Sequence, residues 1–319
     1  MEFNYQTVCH SNLLKDLPER QKDVLSRRFG LRGERQTLES IGRNYDITRE
    51  RVRQIEEDGL RGLVEKLETP TCQNVFHYFV KNLESSGSLK REDLLLNQLG
   101  GEKFKNHVFF LLTLGKPFQR ISETADLYAF WTIDKNSLNV ARRNIDVFIS
   151  ILKKKKKALP LPSNVPTSHL EISKNILRGS EGLYGLPDWP EINPKGIKDK
   201  AYLVFKKEKK PLHFSEVARG IGENALPQTV HNELIRDQRF VLVGRGLYAL
   251  QEWGYTPGVV REVIANVLKT SSKKPMYKEE IIQEVLKQRQ VKPNTILLNL
   301  QNKKYFIKDA EGEYTIRKA

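Results

Sequence analysis

Hydrophobic side chains near the N-terminus recur every three or four positions, in two short groups with a polar interruption between them. Leu38 and Ile41 would share one face of a first helix, because residues three apart lie on the same side of an α-helix. Val52, Ile55 and Leu60 would share one face of a second helix. Both groups leave the opposite side polar, so the pattern predicts two short amphipathic helices that each bury one stripe.

The polar interruption has the residue types of a tight turn followed by a helix start. Thr37–Tyr45 would form the first helix, Asp46 and Ile47 the connection, and Thr48 the N-cap of the second helix. The exposed side of that helix would begin with Arg49, Glu50, Arg51, Arg53 and Gln54. Such side chains reach base edges and phosphates, so the pattern indicates a helix-turn-helix recognition element. The alternative is a charged helical hairpin without a nucleic-acid role, but both the turn and the cap lie where the motif needs them.

Four segments resemble region 4 of bacterial housekeeping sigma factors in order and spacing: Leu17–Arg20, Val24–Leu31, Thr37–Gly42 and Thr48–Glu56. The resemblance covers roughly residues 13–67. It implies a helix-turn-helix that reads the −35 promoter element, in a domain that docks on the flap of the RNA polymerase β subunit. Double-stranded DNA and RNA polymerase are therefore the partners that this resemblance implies.

The same resemblance assigns roles to single residues. It implies base reading by Arg49, Glu50 and Gln54, and phosphate contacts by Thr48, Arg51, Arg53 and Arg43. The chain departs from the family at Glu57-Asp58-Gly59, where small and basic residues usually follow. Only about a dozen residues precede the resemblance, so we expect the chain to lack the sigma regions that grip the polymerase clamp and melt the −10 element. We therefore do not expect a complete sigma factor.

A second pattern is an internal repeat in the C-terminal part of the chain. Residues 211–253 correspond to residues 275–316, with Pro211–Ala218 aligned on Pro275–Ile282 at an offset of 64. Further matches, each at an offset of 66, are Thr229 with Thr295, Phe240 with Phe306, and Tyr248 with Tyr314. Each copy predicts an amphipathic helix (Ala201–Lys207 or Val260–Lys269), two more helices and two strands around a glycine turn. Three helices and a β-hairpin make a winged helix.

Two earlier segments resemble the same unit. In residues 88–131, the second helix would include Ser88–Leu95 and the third Asn106–Leu114, with strands at Phe118–Ser122 and Leu127–Trp131. Gly182–Trp189 echoes Gly246–Trp253 at an offset of 64, and Ser137–Lys157 would be the first helix of that degenerate copy. The repeat predicts tandem winged-helix modules after the first domain.

The resulting fold class is mainly α with small β-hairpins: a sigma region 4-like helix-turn-helix followed by winged-helix modules. The predicted segments are 1–68, 69–134, a degenerate module 135–193 with a basic and Pro-rich linker at 153–166, 194–256 and 257–319. We expect the linker to be the hinge between the front and back halves, because proline spacing after a helix end is typical of semi-rigid linkers.

The unit at residues 194–254 resembles the HARE-type helix-turn-helix found in the delta subunit of bacterial RNA polymerase. The residues that carry this resemblance are Lys200–Tyr202, Pro211–Phe214, Thr229–His231, Asp237–Val241, Gly246–Leu250 and Trp253. The resemblance implies the winged-helix fold and a role near DNA or polymerase.

Charge adds a second line of evidence for nucleic acid. The formal net charge is +15, yet residues 1–68 hold equal numbers of basic and acidic residues. The surplus therefore lies in the later modules, where it predicts sequence-independent phosphate contact. The candidate secondary contacts are Lys153, Lys154, Lys155, Lys156, Lys157, Arg245, Lys303 and Lys304. The alternative is that these lysines only solubilise the surface, and Lys153–Lys157 would also suit the end of a helix dipole.

Other chemistry is not indicated. Cys9 and Cys72 suggest no disulfide framework, and no apolar run or signal peptide is present, so we expect a cytoplasmic, nucleoid-associated protein. The histidines lack zinc spacing, and His213 and His231 are expected to cap or pack. There is no phosphate-cradling glycine loop. We therefore expect no enzyme activity, no catalytic residues, no metal, no cofactor and no small-molecule substrate.

Three functions remain open. The leading hypothesis is a DNA-binding transcription factor that acts at promoters with RNA polymerase. One alternative is a delta-like polymerase accessory subunit that acts through protein contacts. The other is the DNA-specificity module of a restriction or modification system.

Overall fold

The computed structural model describes residues 3–271 and 275–317. The chain forms two compact units, Met1–Pro187 and Asp188–Ala319. Both are built from helices and short antiparallel strands, which confirms the predicted fold class. Among the described residues, no helix combines the length and apolar character that a membrane crossing requires.

The first unit begins with the helix-turn-helix and continues through a helical module. Its helices are α1 Tyr5–Thr7, α2 Glu19–Phe29, α3 Leu38–Tyr45, α4 Arg49–Arg61, α5 Pro70–Ser85, α6 Glu92–Leu114, α7 Lys135–Lys155 and α8 Thr167–Glu171. A π-helical turn spans Val8–Leu13 and a 3-10 turn spans Val64–Glu68. The strands are β1 Leu89–Arg91, β2 Gln119–Ile121, β3 Phe130–Thr132, β4 Leu177–Arg178 and β5 Tyr184–Gly185.

The turn between α3 and α4 follows the sequence prediction. Asp46 ends α3 in the left-handed region at φ 52°, and the Ile47 amide donates to the Gly42 carbonyl at 3.0 Å. A Cβ on Gly42 would lie only 2.7 Å from the Ile47 oxygen, so the close return of the chain requires glycine here. Thr48 caps α4 as predicted, because its Oγ1 accepts from the Arg51 amide at 3.2 Å.

Two cores meet along α4. Ile41, Val52 and Ile55 are buried with Val24 in a small core of their own. The sequence prediction placed Leu60 in the same stripe, but Leu60 packs against the larger core of the unit. The reason is that α4 makes more than three turns, so its buried side drifts from one neighbour to another.

The larger core joins the first 68 residues to the next module. Leu25, Phe29 and Leu63 are buried there together with Phe79 of α5 and Phe110 of α6. The rings of Phe29 and Phe110 lie 4.9 Å apart. The predicted boundary after residue 68 therefore falls within one continuous core, and the division into five segments stays a prediction.

Residues 70–132 have the element order of the predicted repeat, with one addition. The three strands form an antiparallel sheet in the order β1-β3-β2. Ser88–Leu95 was predicted to be helical, but Leu89–Arg91 is a strand and α6 begins at Glu92. Within α6, Gly101 leaves the helical region at φ 57°, which separates the predicted second and third helices.

The predicted linker at 153–166 is part of the first unit. Its lysines begin in the last turn of α7, and Lys156 is the C-cap. Leu159 and Tyr184 exchange two backbone hydrogen bonds of 2.9 and 2.7 Å. The compact units part between Pro187 and Asp188 instead of at the expected hinge.

The second unit contains two copies of the same arrangement. Its helices are α9 Ile197–Glu208, α10 Phe214–Ile221, α11 Pro227–Arg236, α12 Val260–Thr270, α13 Lys278–Gln288 and α14 Pro293–Leu300, with a 3-10 turn at Gln251–Trp253. Its strands are β6 Leu212–His213, β7 Phe240–Gly244, β8 Leu247–Leu250, β9 Phe306–Lys308 and β10 Tyr314–Ile316. The first sheet has the order β6-β8-β7, which is the topology of β1-β3-β2. In the last module, Met276 bridges to Tyr314 at the position of the first strand.

The two copies are joined by polar contacts. The Gln290 amide donates to the Val243 carbonyl at 2.7 Å, so the last module lies on strand β7 of the preceding one. Arg289 is only 3% exposed, and its Nη2 donates to the carbonyls of Thr256 and Gly258 in the connecting segment. Residues 188–317, within the described part, thus form a packed pair of modules.

Candidate nucleic-acid interface

Helix α4 is held with one side buried and one side exposed. Val52 and Ile55 are buried at 0% and 6% exposure, and they fix the rotation of the helix about its axis. Every predicted reader and phosphate residue is consequently exposed. These residues are Thr48, Arg49, Glu50, Arg51, Arg53, Gln54 and, on α3, Arg43. The structure therefore brings the predicted side chains to one exposed helix surface and its neighbour.

The side chains on this surface are engaged with one another. Arg53 binds Glu50 at two points, from Nη2 to Oε1 at 2.6 Å and from Nε to Oε2 at 3.0 Å. Arg53 also forms an ion pair through Nη1 with Glu57, one turn further along. The hydrogen bond from Arg53 lowers the pKa of the Glu50 carboxyl, so Glu50 stays ionised.

The other arginines of this surface differ in whether their side chains form hydrogen bonds or ion pairs. Arg51 donates from Nη1 to Oε1 of Gln54 at 3.0 Å, and Arg43 pairs with Glu39 on α3. Arg49 has no side-chain hydrogen bond or ion pair in the part of the chain that is described. Helix α4 carries four arginines and four acidic residues, so it is neutral as a whole. Arg49, at the N-terminal end, is the cation most available to a polyanion.

The contact of Glu57 with Arg53 was not predicted from the sequence, in which the acidic residues after Glu56 were only a departure from the family. The signal was available, because residues three and four apart on a helix are neighbours. Glu50, Arg53 and Glu57 follow that spacing, and the structure places one guanidinium between two carboxylates.

The third helices of the second unit have a different chemistry. Helix α14 contains no lysine or arginine, and α11 contains only Arg236 in its last turn. Both helices expose large apolar side chains: Ile235 on α11 is 63% exposed and Leu298 on α14 is 68% exposed. These two surfaces are therefore poorly suited to phosphate contact.

The predicted secondary basic residues are exposed but occupy unlike positions. Lys153, Lys154, Lys155, Lys156 and Lys157 lie at and beyond the end of α7. Arg245 lies at the turn between β7 and β8, and Lys303 and Lys304 lie in the loop between α14 and β9. The predicted basic residues of the two modules in the second unit therefore lie at different positions in the module fold.

The two histidines of the repeat are structural, as predicted. His213 is the N-cap of α10 and forms a capping box with Glu216. His231 packs against Phe214, with ring centroids 4.6 Å apart. Among residues 3–271 and 275–317, no three His, Cys, Asp or Glu side chains lie together in a way that would hold a metal ion.

Comparison with known proteins finds relatives of the first domain. Residues 13–64 match the protein family Sigma-70, region 4. The chain is 41% identical over 71 residues to the RNA polymerase sigma factor SigA of Microcystis aeruginosa, a match that covers 22% of this chain and 16% of that protein. It is 42% identical over 73 residues to the RNA polymerase sigma-C factor of a Nostoc species, covering 23% and 17%. SigA of a Synechocystis species matches with 41% identity over 71 residues, covering 22% and 16%.

The first domain is therefore a sigma region 4-like helix-turn-helix, which confirms the resemblance seen in the sequence. The chain spans only 16–17% of the length of these relatives. The resemblance of residues 194–254 to the HARE-type unit stays a prediction.

Proposed function

We propose that this protein is a DNA-binding transcription factor that acts at promoters together with RNA polymerase. The observation that supports this most directly is the exposed surface of α4. It carries Arg49, Glu50 and Gln54 on a domain that matches sigma region 4. In this proposal, α4 enters the major groove, because an α-helix fits there and each base pair presents a distinct pattern of donors and acceptors.

The role proposed for each residue follows from the chemistry of its side chain. Arginine recognises the acceptors of guanine, glutamine recognises adenine, and a carboxylate accepts from cytosine. Arg49, Gln54 and Glu50 supply one of each. Arg51, Arg53, Arg43 and Thr48 would contact phosphates beside the groove, where they set register without reading sequence.

Contact with polymerase is the second half of the proposal. The resemblance implies docking on the β flap, but much of the apolar surface of the domain is already buried against other parts of the same chain. Leu25, Phe29 and Leu63 are buried in the core that the domain shares with α5 and α6 of the same chain. Among residues 13–64, the large apolar side chain that stays exposed is Val64, at 47%. Polymerase would therefore meet a mostly polar surface of this domain, or another module.

The test of DNA recognition is selected-site enrichment with the full chain. We expect Arg49→Ala/Gln54→Ala to relax the selected sequence, because one bidentate base contact is worth about 1–3 kcal/mol of discrimination. Arg51→Ala should weaken binding equally on all duplexes and flatten the salt dependence. An unchanged preference in the double variant would refute the proposed base readers.

A second candidate function has specific support. The exposed Ile235 and Leu298 lie on the third helices of the two modules in the second unit, where a DNA reader would carry cations. Apolar side chains at such positions favour contact with protein, as in a polymerase accessory subunit. To distinguish the two functions, the protein is mixed with core polymerase and, in a parallel experiment, with duplex DNA. Stable capture of polymerase, without binding to any duplex at low salt, would favour the accessory subunit.

A further inference from the structure

Four cations near the end of the last module have no carboxylate partner in the described part of the chain, whereas two of the four arginines of α4 are ion-paired. Lys303, Lys304, Lys308 and Arg317 form no ion pair with a carboxylate among the described residues. On α4, by contrast, Arg53 is shared between two carboxylates and Arg61 pairs with Asp58. A cation without an acidic partner can contact a phosphate directly. A paired cation must first break its ion pair with the carboxylate.

These cations surround two adjoining cavities. One has a volume of about 470 Å³ and is lined by Lys303, Lys308 and Arg317 beside Phe306. The other has a volume of about 820 Å³ and is lined by Arg261, Lys304 and Arg317, again beside Phe306. Arg317 and Phe306 belong to both, so the cations form one continuous basic surface that runs from the base of the β9–β10 hairpin to Lys308 at the end of β9.

Several of these side chains are held in place without losing their charge. Arg261 and Lys304 both lie over the ring of Tyr305, at 4.2 and 5.8 Å from its centroid. Arg317 donates from Nη1 to the carbonyl of Lys303 at 2.9 Å. Glu262 is the one acidic residue in the lining of these cavities. It lies 3.9 Å from Arg261 and accepts from the Val259 amide, so it only partly offsets the positive charge.

Among the described residues, neither α14 nor the turn of the β9–β10 hairpin presents a comparable surface. Helix α14 has no cation and exposes Leu298. The turn of the hairpin carries Asp309, Glu311 and Glu313, whose mutual repulsion contributes to a raised pKa of the Glu313 carboxyl after the effect of burial. A polyanion would be repelled at this turn and attracted at the base of the hairpin.

We propose that the last module binds the phosphodiester backbone of duplex DNA through this basic surface, formed by Arg261, Lys303, Lys304, Lys308 and Arg317. The contact uses the start of α12, the loop before β9, the end of β9 and the residue that follows β10, in place of the third helix and the hairpin turn. It reads no sequence. This inference rests on the proposed DNA-binding function and adds a second, non-specific contact to the α4 reader.

The test compares two triple variants of the full chain in a salt series of mobility shifts on a non-specific duplex. The first is Lys303→Gln/Lys304→Gln/Lys308→Gln. The matched control is Lys278→Gln/Lys287→Gln/Lys292→Gln, which removes the same charge from exposed residues of the same module. Each lost phosphate contact should reduce the slope of log affinity against log salt by about 0.9. We expect a slope reduced by about two to three in the first variant and little change in the control.

Equal losses in the two variants would mean that net charge alone matters, and would overturn the proposed surface. No loss in the first variant, with normal wild-type binding, would overturn it as well and leave the α4 reader intact. Failure of the wild type to bind any duplex at low salt would refute the proposed function together with this inference. Circular dichroism of each variant confirms folding, and Arg317→Gln gives an independent variant at the residue common to both cavities.

Discussion

Arg53 and Glu50 form a two-point ion pair across one turn of α4, with Nη2 to Oε1 at 2.6 Å and Nε to Oε2 at 3.0 Å. Glu57 holds the same guanidinium from the other side. The predicted phosphate contact and one predicted base reader are therefore partners of each other in the free protein. DNA would have to compete with these carboxylates, so the acidic residues of α4 limit how strongly the helix attracts phosphate.

Removal of Glu57 should therefore strengthen DNA binding. In Glu57→Gln, Arg53 keeps Glu50 as its partner but loses one competing charge, so the guanidinium can turn to a phosphate. We expect tighter binding on all duplexes and a log–log salt slope that is steeper by about one, the value of a single added phosphate contact. Glu65→Gln removes the same charge from an exposed residue without such a contact. Equal effects of the two variants would show that Glu57 acts only through net charge.

The turn of the helix-turn-helix should not accept a side chain at Gly42. A Cβ there would lie 2.7 Å from the Ile47 carbonyl oxygen, which is backbone and cannot easily move. Overpacking costs about 1–3 kcal/mol, and alanine recovers up to about 1 kcal/mol through its helix propensity. We expect Gly42→Ala to lower the free energy of unfolding by about 1–2 kcal/mol in urea titrations. Gly33→Ala, where no atom lies within 4 Å, should be nearly neutral.

Arg289 should stabilise the pair of modules in the second unit. Its Nη2 satisfies the carbonyls of Thr256 and Gly258, and burial lowers the pKa of the guanidinium. Arg289→Met retains an apolar stem but leaves both carbonyls without this donor, at a cost of about 1–3 kcal/mol. Hydrogen exchange should therefore become faster in the connecting segment. The exposed control Lys287→Met should change stability by less than about 0.5 kcal/mol.

His107 should make the stability of the first unit depend on pH. Burial, and secondarily the nearby His10, lower the pKa of His107, and neither of its ring nitrogens has a hydrogen-bond partner among the described residues. A histidine with a depressed folded pKa favours the neutral form in the folded state. The unfolded state then binds more protons as the pH falls below the unfolded value of about 6.5. The free energy of unfolding of the first unit is therefore unaffected by His107 protonation well above about pH 6.5, and it decreases as the pH falls below that value.

His107→Leu should remove most of this decrease, since the side chain no longer takes up a proton on unfolding. The measurement is the free energy of unfolding in urea at several values between about pH 7.5 and 5.5, which bracket the unfolded histidine pKa. His77→Leu, on the exposed side of α5, serves as the control. A pH profile of the His107 variant that matches wild type would contradict the role given to His107.

The sequence predicted the first domain well because its signals are local. Thr48 was expected to cap α4, Asp46 to lie in the connection after α3, and Val52 and Ile55 to be buried, and the structure confirms all of them. A cap contacts an amide three residues away, and an amphipathic stripe repeats every three or four residues. The order and spacing of these short-range signals also carried the resemblance to sigma region 4.

The first strands of two later modules were not predicted. Leu89–Arg91 and Leu212–His213 are only three and two residues long, and each pairs with a strand more than thirty residues further along the chain. No local pattern marks such a strand, because its hydrogen-bond partners lie in a strand that is far along the chain. The packing of Leu60 on the larger core, and the pairing of Leu159 with Tyr184 inside the predicted linker, were missed for the same reason.

The amino-acid sequence by itself determined the helix-turn-helix, the exposed position of Arg49, Glu50 and Gln54, and the repeated unit, because spacing within a few residues is enough to specify them. Only the tertiary structure decided which cations lie together on one surface. Arg53 is held by carboxylates on its own helix, whereas Arg261, Lys304 and Arg317 are brought to one surface from three separate elements. The availability of a charge depends on which groups lie within a few ångströms of it, and folding sets those distances between residues that are far apart in the chain.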